Sequence, residues 1–154
     1  METEQKSKRK SIDYKTGTFL RKPEALNFFS DDYLPPDLET VLKVQHYIEQ
    51  EFREHKQPEY YANKVKRTLR CLNDLCQHYL EQSVYSLIQE RIHMEVLRLL
   101  LHTKMTAKQI AYEMNISTPS YFSRHFKHRM GVSPQQWRKQ QRALIMDADR
   151  QKEI

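Results

Sequence analysis

Apolar residues recur at three- and four-residue intervals along most of the chain, and the pattern restarts wherever a capping residue or proline interrupts it. It is tightest over 106–138, TAKQIAYEMNISTPSYFSRHFKHRMGVSPQQWR. Thr106 and Gln109 form a capping box ahead of Ile110, Ala111 and Met114, which predicts a first helix over 106–114. Asn115 tolerates positive φ, Thr118 supplies an N-cap oxygen, and Pro119 suits a first helical position where no N–H is needed. On the second helix, Phe122 and Phe126 share one face, while Ser120, Ser123, Arg124 and Lys127 form the opposite stripe. Gly131 falls where a C-cap needs the left-handed conformation, and Ser133, Pro134 and Gln136 restart a third helix. The unit reads as a helix-turn-helix with a supporting helix behind it.

The same order occurs earlier. Asp37 caps a helix predicted to run to about His55, with Leu38, Val41, Leu42, Val44, Tyr47, Ile48 and Phe52 at helical spacing and an acidic outer face of Glu39, Glu49, Glu51 and Glu54. Pro58 opens a short helix to Val65, Lys66, Arg67 and Thr68 make a turn, and Leu69, Leu72, Leu75 and Cys76 line a helix ending near Leu80. Laid on the later unit, Ala62 matches Ala111 and Val65 matches Met114. After one extra residue in the second turn, Leu72 matches Phe122, Cys76 matches Phe126, Ser83 matches Ser133 and Leu87 matches Trp137. Between the units, Val84 to Thr103 is apolar on more than one face, a linker helix of about 30 Å, close to the roughly 34 Å turn of B-DNA.

The run IAYEMN, SYFSRHFKHRMGVSPQQWR resembles the DNA-binding region of the AraC/XylS family of bacterial transcription factors. The resemblance rests on Ile110–Ala111, Ser120–Tyr121–Phe122, Phe126–Lys127, Gly131, Ser133–Pro134 and Trp137–Arg138. With the first half included it covers roughly Leu38 to Arg138, although Glu81 stands where the first recognition helix of that family usually ends in glycine. It implies an all-α fold of tandem, homeodomain-like helix-turn-helix subdomains joined by a long linker helix. The expected organisation is a disordered basic tail and linker over 1–37, a first subdomain over 38–82, the linker helix over 83–103, a second subdomain over 104–144, and a tail over 145–154.

Composition narrows the partner. A formal charge of +6 over 154 residues points to a polyanion, and Lys6, Lys8, Arg9 and Lys10 add a basic cluster in the N-terminal tail. No apolar run approaches the roughly 18–20 residues needed to span a bilayer, so a cytoplasmic protein with reduced thiols is expected. Cys71, Cys76 and His78 lack the four-ligand pattern of a structural zinc site, and two glycines in the whole chain leave no glycine-rich phosphate cradle. Neither an enzyme, a metal, a cofactor nor a small-molecule ligand is expected.

The expected partner is double-stranded DNA, with RNA polymerase as a second candidate. In the second unit the DNA-facing set is Thr118, Ser120, Tyr121, Ser123, Arg124, Lys127, His128, Gln135 and Gln136. Arg124 is placed to bond guanine O6 and N7, and Lys127, His128, Arg129 and the N–H groups of Gln135 and Gln136 suit phosphates. In the first unit the set is Lys66, Arg67, Thr68, Arg70, Asn73, Asp74 and Gln77. Asn73 or Gln77 suits adenine, and Arg70 suits guanine or phosphate. Asp74 either accepts from cytosine N4 or pairs with Arg70 one turn earlier. The competing reading is a helical protein-interaction module on the same scaffold, its DNA face degenerate.

Overall fold

A computed structural model describes residues 34–152, and among them every regular element is helical. In order these are α1 (Pro36–Glu51), α2 (Pro58–Lys64), α3 (Leu69–Leu80), α4 (Val84–His102), α5 (Ala107–Glu113), α6 (Pro119–Met130) and α7 (Pro134–Lys152). The N-terminal tail and its basic cluster lie outside the described residues, except that α1 already begins at Pro36.

The two units repeat as backbone, not only as sequence. Lys66 and Asn115 both take positive φ, 54° and 50°, directly after the first helix of each unit. The turn is closed by Arg67 N–H donating to Ala62 O at 3.0 Å in one and Ile116 N–H to Ala111 O at 2.8 Å in the other. Thr68 and Thr118 then cap α3 and α6, their hydroxyls accepting from Cys71 N–H and Tyr121 N–H. Both helices end on a left-handed residue, Glu81 at φ 56° and Gly131 at φ 78°. Ser83 and Ser133 cap α4 and α7, accepting from Ser86 N–H and Gln136 N–H.

Two boundaries differ from the sequence reading. Asp37 does not cap α1: Pro35 is the N-cap, Pro36 fills the first helical position, and Asp37 sits in the first turn, where its charge suits the helix dipole. The helix also stops at Glu51. Phe52 is buried, the Tyr61 hydroxyl donates to His55 O at 2.7 Å, and the Tyr60 ring stacks on His55 at 3.6 Å. Those contacts come from α2, so local periodicity does not carry them. At the other end α7 runs unbroken through the expected boundary at 144, with Leu144, Ile145 and Met146 exposed.

One contiguous apolar core runs from Val41 to Trp137, and α4 is its spine. Helices α1, α2, α3, α5 and α7 all pack on α4, whose 19 residues give a rod of about 28 Å. A helix buried on this many sides carries two charged residues inside, Arg91 and Glu95. Glu95 is 4% exposed and bonded by arginines from three places: Arg98 at 2.7 Å, Arg91 at 3.5 Å, and Arg53 from the segment after α1. Arg91 in turn grips Glu49 of α1 through Nε and Nη2 at 2.6 and 2.8 Å. Burial alone would push the Glu95 carboxyl up, but hydrogen bonds and charge from Arg98 and Arg53 override it and hold it at about 2.

No described helix is long and apolar enough to cross a membrane, and among the described residues no group of three or more His, Cys, Asp or Glu side chains is placed to hold a metal ion.

Glu95→Ala removes the one carboxylate that holds Arg98 among the described ion pairs, while Arg91 keeps Glu49 and Arg53 keeps Glu113, and is expected to cost about 1.5–3 kcal/mol in urea unfolding. Because the folded carboxyl lies below its ordinary 4.5, the stabilisation is complete above that pH and is lost as pH falls toward about 2. Acid titration of the wild type should therefore show a loss over that window that is missing from Glu95→Gln. The left-handed caps make opposite predictions: Gly131→Ala, whose new Cβ meets nothing within 4 Å, should lose about 1 kcal/mol from backbone strain alone, and Glu81→Gly should gain a similar amount. Thermal melts of the two variants check both signs.

Candidate nucleic-acid interface

Helix α6 is anchored by its apolar stripe. Phe122 and Phe126 are buried, Phe126 meets the Trp137 ring edge-on at 6.2 Å, and Ile110, Ala111 and Met114 of α5 complete the seat. The opposite stripe is exposed: Ser120, Tyr121, Arg124, Lys127, His128 and Arg129. No acidic residue occurs on this helix, and Lys127, His128 and Arg129 cluster in its last turn. Tyr121 stands half-exposed at the helix entry with its ring stacked on His125 at 5.8 Å. Ser123 is half-buried, turned partly toward the body.

Behind α6 lies His93 of α4, its ring 6.0 Å from Phe126. Burial, reinforced by the nearby charges of Arg129 and His125, pushes its imidazole down to about 3, so it stays neutral. The positive charge of this region is thereby kept on the outer face.

Gln135 and Gln136 start α7 beside α6, both exposed. The Gln136 N–H is already spent on the Ser133 hydroxyl at 3.3 Å, and its side-chain oxygen accepts from Ser133 N–H at 3.1 Å, closing a capping box. Of the two N–H groups expected to meet phosphate, Gln135 therefore remains the candidate. Thr118 is likewise exposed, with its hydroxyl oxygen accepting within its cap.

The first unit presents Lys66, Arg67 and Thr68 at the turn and Arg70, Asp74 and Gln77 along α3, all exposed. Arg67 lies 3.6 Å from Asp37 of α1. Asn73 is placed differently. It is half-buried, and its side-chain oxygen accepts from Val84 N–H at 3.0 Å, capping the spine helix. Bidentate adenine contact would need that oxygen as acceptor for N6, whereas the other expected amide, Gln77, is exposed. Among the ion pairs of the described residues none joins Arg70 to Asp74, and both side chains point to solvent.

Several basic residues that could pass for DNA contacts work internally. Arg138 donates from Nε to Leu100 O at 2.7 Å and from Nη2 to Met105 O, and Arg142 donates to Thr103 O at 2.9 Å. Both close the carbonyl end of α4 from α7. Lys56, between α1 and α2, donates to Met114 O at 2.5 Å and Asn115 O at 2.7 Å in the turn of the second unit. Sequence reading missed Arg53, Lys56 and Glu95 in these roles, because residues of distant elements meet there without any spacing rule. An isolated glutamate in an apolar helical run was the one available signal.

A family model described as a helix-turn-helix domain matches residues 61–140. No curated protein matches. Among solved structures, that of a xylose-binding transcription activator XylR superposes with a TM-score of 0.61 at 18% identity, covering 70% of this chain and 28% of that one. At that identity the likeness speaks to the fold, and this chain spans little more than a quarter of the longer protein. The family match, the duplicated turn and the exposed basic stripe of α6 agree, and the chain belongs to the AraC-type helix-turn-helix family of DNA-binding transcription regulators.

Proposed function

We propose that this protein is a sequence-specific regulator that reads two adjacent major grooves of double-stranded DNA, one with α6 and one with α3. The observation that carries the reading is the α6 face, exposed, basic and free of carboxylates, mounted on a turn whose geometry is reproduced at α3. Arg124 is the base-reading residue of α6, bonding guanine through two N–H groups, with Ser120 and Tyr121 beside it at the entry. Lys127, His128 and Gln135 fix the helix on the backbone. In the first unit Arg70 and Gln77 serve the same ends with Lys66 and Arg67 flanking.

A specific observation favours asymmetry between the units. In the repeat register Asp74 occupies the position of Arg124, so the centre of the first reading face is negative where that of the second is positive. Either Asp74 accepts from cytosine N4, or this face engages a protein such as RNA polymerase while α6 supplies the DNA contact.

Binding sites selected from random duplex DNA and then titrated with salt provide the test. Affinity should fall steeply as salt rises, with a slope near 0.9 per phosphate contacted. Arg124→Ala should lose about 1–3 kcal/mol at one base position, and Lys127→Ala should weaken all sequences alike. Asp74→Ala should relax one C·G position if Asp74 reads cytosine, and should raise affinity uniformly if it only repels phosphate. Absence of duplex binding at low salt would defeat the proposal.

A further inference from the structure

The second recognition helix, α6, packs mainly within its own unit. Its main neighbours are α5 and α7, and most contact between the two units runs through α4. Between α4 and α6 lies a cleft of about 300 Å³, walled by Ile92, His93 and Val96 on one side and Phe122, His125 and Phe126 on the other. Space there gives α6 room to shift against the spine, so its aim depends on what holds the joint between α5 and α6. One side chain bridges that region from the first unit. Lys56 lines the cleft and reaches the two carbonyls, Met114 and Asn115, at the joint where α5 ends and the turn to α6 begins.

We propose that Lys56 and Arg53 form a latch between the units that fixes the angle of α6 relative to α3, and so sets which half-site spacing the protein accepts. The chemistry is directional at both points. Met114 and Asn115 present carbonyls at the negative end of α5, where an ammonium bonds well, and Asn115 is the left-handed residue on which the turn pivots. Arg53 joins three elements, since Nη1 donates to Glu113 of α5 at 2.9 Å and Nη2 to buried Glu95 of α4. Both cations come from the short segment between α1 and α2, so a single stretch of the first unit grips the last turn of α5 from two sides. Lys56 is partly buried there, and burial lowers its ammonium from its ordinary value. Lys56 and Arg53 are positioning residues; neither is assigned a contact with DNA.

The inference rests on the two-groove reading for its consequence in DNA binding, but its structural part is testable without DNA. Cys71 on α3 is half-buried, whereas Cys76 is buried and its thiol is pushed up to about 12, so a spin label should select Cys71. A second label on Tyr112→Cys, on the exposed side of α5, reports the second unit. Pulsed dipolar spectroscopy should give a narrow distance distribution in the otherwise unaltered chain and a broader one in Lys56→Met and Arg53→Met, with Lys56→Arg restoring the narrow form. Glu113→Gln weakens the latch from the exposed side and serves should the other variants fold poorly. On DNA, Lys56→Met should bind an isolated α6 half-site as before and lose roughly tenfold affinity for the two-half-site duplex, because the second contact is no longer pre-aimed. Inserting one base pair between half-sites should cost the variant less than the wild type. Unchanged distance distributions in all latch variants would overturn the proposal. A wild type that ignores the second half-site would instead defeat the two-groove reading, leaving the distance measurement to decide the latch.

Discussion

The structure depends on a carboxylate placed where few are tolerated. Glu95 sits midway along a helix that is apolar on most of its faces, and an unpaired charge there would shift its pKa or unfold the helix before it stayed ionised. Its arginines come from two turns of α4 and from the segment after α1, and Arg91 extends the network to Glu49. Apolar packing resists sliding of α1 along the spine through the fit of Val41, Val44 and Ile48, and the network adds bonds of fixed direction. Together they give the first unit a definite register on α4.

Around that spine the same helix-turn-helix frame appears twice with different side-chain content. Positive φ at Lys66 and Asn115, threonine caps and left-handed C-caps recur, while the faces they present diverge. Each non-glycine left-handed residue costs backbone energy, so Glu81 at a position filled by glycine in the second unit marks a geometry kept by the surrounding structure. Frame and face are separable. The buried side of α3 or α6 sets the pose of the helix, and the exposed side is free to change from Arg124 in one unit to Asp74 in the other.

That separation also explains what could be read in advance. Helix order, the turns, the caps at Thr106, Thr118 and Ser133, and the core stripe of Phe122 and Phe126 follow from local chemistry, and local chemistry is written in neighbouring residues. The exposed stripe of α6 was legible for the same reason. Asn73 was not, because its amide oxygen is claimed by Val84, eleven residues away, and nothing in the α3 pattern announces this. The end of α1 was misplaced because Tyr60 and Tyr61 intercept the chain at His55. Gln136 shows a milder case: its capping box was visible, yet the same bond removes the N–H that was assigned to phosphate.

Net charge is a poor guide to which cations meet DNA. Of the 26 lysines and arginines in the sequence, Arg53, Lys56, Arg91, Arg98, Arg138 and Arg142 are engaged with carboxylates or carbonyls of the fold. Two of them close the end of α4, two grip the end of α5, and two bracket Glu95 on α4; apart from the Arg98–Glu95 bond within α4, they join one element to another. A guanidinium so held has little freedom to follow a phosphate, and a DNA contact drawn from it would cost the internal bond. Those left on α6, Arg124, Lys127 and Arg129, are exposed and joined to no carboxylate among the described ion pairs. The division follows helix geometry: cations near α4 and the carbonyl ends of helices hold the two units together, and those opposite Phe122 and Phe126 face outward, where a phosphate backbone can replace water around them.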